Sequence, residues 1–301
     1  MLPERCVILR ALPLAMALLA STSAFSQAPV FDGFDVPEIR ADLWDLKDIR
    51  RDQFGFVSPG RCGADGAVAV RIDEATGGSN CGAGELCQRA EIRENPKRWL
   101  RLGDEAWYGF SFRVRGEYPD DGLSTRWILA QFKEQTDESP FLALRFDDGV
   151  FHITVQDDAE RYTVASARHT IDRIKTYRAG LARLAGLLPE FRYVTDNPSA
   201  GGAALRVVPG SASVLPDPRR DWVDLTLRVR AGRDGKGLVQ VWANGRDVVS
   251  VEGNIGHRAR AGDRQYFKFG QYRAQTRHST ELLFDQFRRG TRREHVYPVC
   301  R

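Results

Sequence analysis

Histidine and methionine are scarce in this chain, with five and two among 301 residues. No histidine stands at ligand spacing near a cysteine pair and there is no C-x-x-C, so no zinc site is expected. An excess of one charge sign is also lacking. A formal net charge of +4 is too small to mark a nucleic-acid binder, although a total says nothing of a local basic groove. After the first 20 residues no stretch approaches the ~20 apolar residues needed to cross a bilayer, so no membrane span is expected. The E-x-D-x-E alternation of a sandwich hydrolase, with paired carboxylates flanking a glycosidic bond, is missing too. A dense Asp/Asn cluster for calcium is likewise missing. No cofactor is therefore expected, with structural calcium the one exception left open.

What is present begins with MLPERCVILRALPLAMALLASTSAFSQA. Arginines at 5 and 10 precede an apolar run from Ala11 to Ala20 and then small residues, the layout of a secretory signal peptide cut after Ser26. The expectation is a secreted or periplasmic protein, a monomer, forming one domain over 27–301. Cys6 leaves with the signal. Cys62, Cys81, Cys87 and Cys300 remain, an even number suited to two disulfides in an oxidising compartment. Four cysteines allow three pairings. The short spacing in CGAGELC would let Cys81 and Cys87 close a small loop and leave Cys62 for Cys300.

From about Ala67 the chain reads strand, turn, strand. AVAVRI, QRAEIRE, AWYGFSFRVR, RWILAQFK, FLALRF, VFHITVQ, DWVDLTLRVR, GLVQVWANGR, YFKFGQYR and TELLFDQFRRG alternate apolar with polar residues or are rich in β-branched and aromatic side chains. Turn signals separate them, at DDG 147–149, GRDGKG 232–237 and NGR 244–246. Many antiparallel strands with few helices predict an all-β sandwich or barrel. Residues 177–220 break the rhythm with a helix-like AGLARLAGLLPEF and a Pro/Gly/Ser-rich tail, the length of a functional loop or lid. The segment before Asp52 carries no motif.

Three strands dedicate one face to polar groups. QRAEIREN puts Arg89, Glu91 and Arg93 together, WILAQFKEQ puts Gln131 and Lys133 together, and YFKFGQYR puts Tyr266, Lys268, Gly270 and Tyr272 together. Any one of these is unremarkable as a solvated face. Two tyrosines around a glycine are harder to read so, because glycine inside a strand marks close approach of a ligand or another backbone. Guanidinium and ammonium groups suit carboxylate or sulfate, and tyrosines offer flat faces for sugar rings. The set fits an anionic polysaccharide.

These motifs carry a family likeness. RAEIR (89–93), QFK (131–133) and YFKFGQY (266–272) resemble the R-[ST]-E-[LV]-R, Q-[IV]-H and Y-F-K-A-G-x-Y strands of jelly-roll polysaccharide lyases. The chain resembles in particular the heparin lyase I-like group, with alginate and glucuronan lyases, which show these strands, as structural cousins. The resemblance spans roughly residues 60–290. It implies a concanavalin-like β-jelly roll with a concave substrate cleft, and β-elimination at a uronate. In that scheme Arg89 and Gln131 neutralise the substrate carboxylate, Lys133 stands where the family has histidine, and Tyr272 is the acid and, in some members, also the base. Lys268, on the same face as Tyr272, supplies positive charge that favours phenolate. Glu91 would fix Arg89 or Arg93 by pairing. Lys133, or His152 from VFHITVQ, are the other base candidates. The remaining substrate contacts are expected from Arg93, Tyr266 and Lys268. A non-catalytic glycan-binding protein on the same fold is the competing reading; a laminin-G-type adhesion module would leave the three polar faces unexplained.

Overall fold

The computed structural model describes residues 28–63, 66–80, 86–116, 127–147, 149–158, 160–168, 174–178, 192–194, 205–212, 214–258 and 262–299. Strands account for nearly all of its regular structure. In chain order they are β1 (Val30–Asp32), β2 (Trp44–Asp48), β3 (Phe54–Val57), β4 (Ala67–Ile72), β5 (Ser79–Asn80), β6 (Leu86–Glu94) and β7 (Leu100–Arg101). There follow β8 (Ala106–Gly116), β9 (Trp127–Glu134), β10 (Leu142–Asp147), β11 (Val150–Asp157), β12 (Glu160–Ser166), β13 (Ile174–Arg178) and β14 (Arg192–Val194). The last are β15 (Leu205–Pro209), β16 (Val223–Arg230), β17 (Gly232–Ala243), β18 (Arg246–Ile255), β19 (Arg264–Ala274) and β20 (Thr280–Gly290). Among the described residues only short 3-10 turns interrupt them, and no helix is long and apolar enough to cross a membrane.

Two antiparallel sheets result, and together they form a jelly-roll sandwich. One runs β15-β18-β17-β16-β8-β20-β4-β3, with β1 on β20. The other runs β14-β13-β12-β11-β10-β9-β19-β6-β2, with β5 on β6 and β7 on β19. The period-2 pattern explains why they stack. Phe132, Phe267 and Phe269 from the second sheet meet Phe110, Phe284 and Phe287 from the first in one buried cluster. Phe269, where the resembling lyases usually have alanine, stacks on Phe284 at 3.8 Å between ring centres and 10° between planes. Burying a phenylalanine contributes about 1.5–3 kcal/mol. The NGR turn behaves as its residues require: Asn244 and Gly245 both adopt positive φ between β17 and β18, which matches the twist of a two-residue hairpin.

Polar groups also cross the sandwich. Gln271 is fully buried and donates to the carbonyls of Val70 (2.8 Å) and Thr280 (3.0 Å) in the opposite sheet. Glu94 on β6 accepts from the Phe267 amide at 2.9 Å and pairs with Arg289 of β20 at 2.5 Å. Arg289 also donates to the carbonyl of Arg98 at 3.0 Å. Burial pushes the Glu94 carboxyl and the adjacent Tyr108 phenol up, while Arg289 opposes the shift.

The stretch 177–220, expected as a loop or lid, contributes β14 and β15 to opposite sheets. Its helix-like AGLARLAGLLPEF lies outside the described residues, as do the signal segment, Cys81 and Cys300. Cys62 and Cys87 are disulfide-bonded. The segment before Asp52, which carried no motif, supplies β2 at the edge beside β6.

Candidate functional site

The polar motifs lie on three adjacent strands, in the order β9-β19-β6. Antiparallel register arranges their outward side chains in rows. One row runs Arg89, Tyr272, Ile128, Arg145, His152 across β6, β19, β9, β10 and β11. A second runs Asp45, Arg93, Lys268, Gln131, Ala143, Thr154, starting from β2. Tyr266 and Lys133 face each other in a third. Glu91 sits between the first two rows, opposite Gly270.

Gly270 explains how the rows fit. Its φ is +133°, and a Cβ there would lie 2.2 Å from the carbonyl oxygen of Ala90 and 2.8 Å from the Cα of Glu91. The pairing of β19 with β9 shifts register between Phe269 and Tyr272, which is a β-bulge. The glycine is therefore required by a neighbouring backbone. That settles the sequence-level choice between ligand and chain approach.

Glu91, 1% exposed, is the hub of the floor. It accepts a short hydrogen bond from the Gln131 amide and lies 3.4 Å from Arg89 Nε and 3.5 Å from Lys268 Nζ. Lys268 Nζ also donates to Asp48 Oδ2 at 2.9 Å. Burial works against the Lys268 ammonium, but the Glu91 and Asp48 carboxylates outweigh it and raise its pKa. Asp48 is held below the usual carboxylate range: burial opposes this, and Lys268 overcomes it. Arg93 turns to Asp45, with Nε at 3.0 Å and Nη2 at 2.5 Å. Of the two arginines that Glu91 was expected to fix, it thus holds Arg89.

Lys133 differs from these cations. Among the described residues its ammonium makes no hydrogen bond and no ion pair. Burial, and then the nearby Lys268 charge, lower its pKa. A cation so placed costs stability unless an anion joins it.

Tyr272 is half-buried, and the Arg89 guanidinium lies over its ring at 4.3 Å. The sequence reading set Lys268 beside this phenol. They lie four strand positions apart, roughly 13 Å along the chain, and Lys268 is turned to Asp48 and Glu91; the cation on Tyr272 is Arg89. Tyr266 is 9% exposed and stacks on Trp99 at 4.3 Å and 13°. Burial raises its pKa, so it stays a neutral phenol. His152 is three strands from Tyr272, roughly 14 Å across the sheet, with Arg145 between and Nδ1 at 3.1 Å from its neighbour Val150's carbonyl.

The structure thus gathers Arg89, Glu91, Arg93, Gln131, Lys133, Tyr266, Lys268 and Tyr272 on one face and leaves His152 at its far side. Sequence reasoning missed Asp45, Asp48, Trp99 and Arg145. Only Arg145 had a usable signal, since it alternates with Leu144 and Phe146 in FLALRF. His257, which had no context in the sequence, is buried with Nδ1 2.7 Å from Glu134 Oε2, away from these rows. Among the described residues no cluster of His, Cys, Asp or Glu is arranged to hold a metal ion.

Comparison with known proteins adds the following. The family described as polysaccharide lyase matches residues 57–288. No curated protein matches the chain. Similar solved structures include alginate lyase A1-II′ in complex with a substrate (15% identity, 83% of this chain and 93% of that one, TM-score 0.46). An endo-β-1,4-glucuronan lyase from the fungus Trichoderma reesei matches with the same identity, coverages and score. Alginate lyase Aly36B matches at 11% identity over 89% of this chain and 98% of that one, with a TM-score of 0.41.

Proposed function

Since the chain belongs to the polysaccharide lyase family, we propose that it is exported and cleaves a uronate-containing anionic polysaccharide by β-elimination on the β9-β19-β6 face. The observation that carries this reading is the meeting of Arg89, Gln131, Lys133 and Tyr272 from three adjacent strands around one recessed floor. Elimination removes the proton on C5 of the uronate, breaks the bond from C4 to the glycosidic oxygen and leaves a C4=C5 double bond. An ionised carboxylate on C5 resists that proton loss, because more negative charge must accumulate beside it. Cations and hydrogen-bond donors aimed at the carboxylate relieve the difficulty.

Among the described residues Lys133 makes no hydrogen bond or ion pair, so it takes the substrate carboxylate, with Gln131 and Arg89 beside it. Tyr272 moves the proton: as phenolate it accepts from C5, and as phenol it donates to the departing oxygen. The Arg89 guanidinium, 4.3 Å over the ring, holds Tyr272 in place on this face. Trp99, stacked face to face with Tyr266, offers aromatic surface for a neighbouring sugar ring. Export rests on the arginine-flanked apolar segment before Ser26. The disulfide-bonded Cys62 and Cys87 suit an oxidising compartment.

The test is ultraviolet absorbance of the conjugated C4=C5 carboxylate during incubation with heparin, heparan sulfate, alginate, glucuronan and hyaluronan, alongside Tyr272→Phe. Growth of the signal on one glycan, lost in the variant with binding retained, is the expected result. Binding without any signal would refute elimination at this face.

A further inference from the structure

The cleft's cations are answered by acids that the sequence did not advertise. Trp44 of β2 points into the core and pairs with Glu94 of β6, and Asp45 next to it pairs with Arg93 on the outward face. A plain strand would then send Asp48, three residues on, to the core side. It does not, because the register of β2 on β6 shifts between Asp45 and Asp48, and Asp48 pairs with outward-facing Glu91. Leu46 packs toward the core, and Lys47 is the exposed extra residue of the bulge. The bulge thus brings two carboxylates to the same face, one on Arg93 and one on Lys268. Both ion pairs are shielded, with side-chain exposures of 16% and 27% for Arg93 and Asp45, and 7% and 18% for Lys268 and Asp48.

Resting on the proposed lyase reading, we propose that Asp45 and Asp48 set the charge density of the glycan this cleft accepts. By neutralising Arg93 and Lys268 from within, they leave the groove matched to one carboxylate per sugar, and they repel a chain that carries sulfate groups as well. The charges immediately around Glu91 can be counted. Arg89, Arg93, Lys133 and Lys268 bring four positive charges, and Asp45, Asp48 and Glu91 return three; Arg145 lies farther along the face, beyond Ile128. A sulfate near Arg93 or Lys268 would have to displace an aspartate already bonded there or share the cation with it. Either costs more in a shielded site than in open water.

The experiment measures binding of the full mature chain to an unsulfated oligoglucuronate and a heparin oligosaccharide of equal length, by titration calorimetry at fixed ionic strength. Wild type, Asp45→Asn, Asp48→Asn and Asp48→Glu are compared, each checked for folding by circular dichroism. The wild type should prefer the unsulfated chain. Each Asn change should move the affinity ratio toward heparin by roughly tenfold, and Asp48→Glu should restore the wild-type ratio. Asp45 is the more exposed of the pair, so its variant serves if Asp48→Asn does not fold. An unmoved ratio in folded Asn variants overturns the proposal, as does wild-type preference for heparin or failure to bind either chain. Elimination activity is read separately. Cleavage with an unmoved ratio sinks the charge-selection idea and spares the lyase, whereas a shifted ratio without cleavage does the reverse.

Discussion

Replacing Gly270 with alanine separates two roles that a glycine in a binding strand can play. At φ +133° an L-residue sits in a region populated almost only by glycine, a cost of about 1–3 kcal/mol. The added methyl would also lie 2.2 Å from the Ala90 carbonyl oxygen and 2.8 Å from the Glu91 Cα. Both are backbone atoms of β6 that cannot swing aside as a side-chain tip would, and such overpacking costs a further ~1–3 kcal/mol. The two together give a destabilisation of about 2–6 kcal/mol, and each kcal/mol lowers the melting midpoint by about 2 °C at this chain length. Urea denaturation of wild type and Gly270→Ala, with the slope compared as well as the midpoint, measures it directly. A loss below about 1 kcal/mol, accompanied by a raised KM, would mean that the glycine makes room for substrate and that the bulge has been misread.

Lys133→Met should raise the melting temperature at neutral pH and weaken substrate binding, because burial and the Lys268 charge outweigh the pull of Glu91 and Asp137 on this ammonium. The sign follows from linkage: a lysine with a folded pKa below its unfolded value penalises the fold while protonated. That penalty fades as pH rises from the folded value toward 10.5, so the stability gain of Lys133→Met should shrink over that alkaline window. Asp48 acts at the acid end. Its depressed pKa contributes stability above the unfolded value of 3.8 that is lost as pH falls through the folded one, and Asp48→Asn should flatten that limb of a denaturation profile. Arg289→Met leaves Glu94 buried without its partner and should cost about 3–5 kcal/mol in the same urea assay. Trp99→Ala removes the ring on which Tyr266 rests and should raise KM several-fold, with a smaller effect on kcat.

The sandwich was legible because its strands obey a strict period. Phe267 and Phe269 against Lys268 reads in the sequence as it folds, and RAEIR and QFK do the same. What could not be read was every place where the period slips. Asp45 and Asp48 are three residues apart, which on an unbroken strand places them on opposite faces; only the bulge unites them. Trp99 lies in a turn, so no periodicity marks it, and strand spacing alone pairs Lys268 with Tyr272 because the acid that binds it most closely, Asp48, comes from β2, far away in the chain. Gly270 was recognised as special, yet nothing in YFKFGQYR says whether a ligand or the Ala90 carbonyl fills the gap.

The bond from Glu94 to Arg289 has a mechanical meaning for catalysis. Glu94 ends the strand that carries Arg89, Glu91 and Arg93, it holds the amide of Phe267 in the strand that carries Lys268 and Tyr272, and it is tied to the opposite sheet. Two strands of the reacting face are thereby bolted to the back of the molecule through a buried charge that cannot be stretched without exposing it. If the proposed site is right, such a floor should keep its shape as the chain of sugars comes in, so that the polysaccharide conforms to the enzyme. Binding energy from sugars on either side of the scissile bond would then be available to bend the sugar between them. An oligosaccharide too short to reach both sides should therefore lose turnover more than it loses affinity.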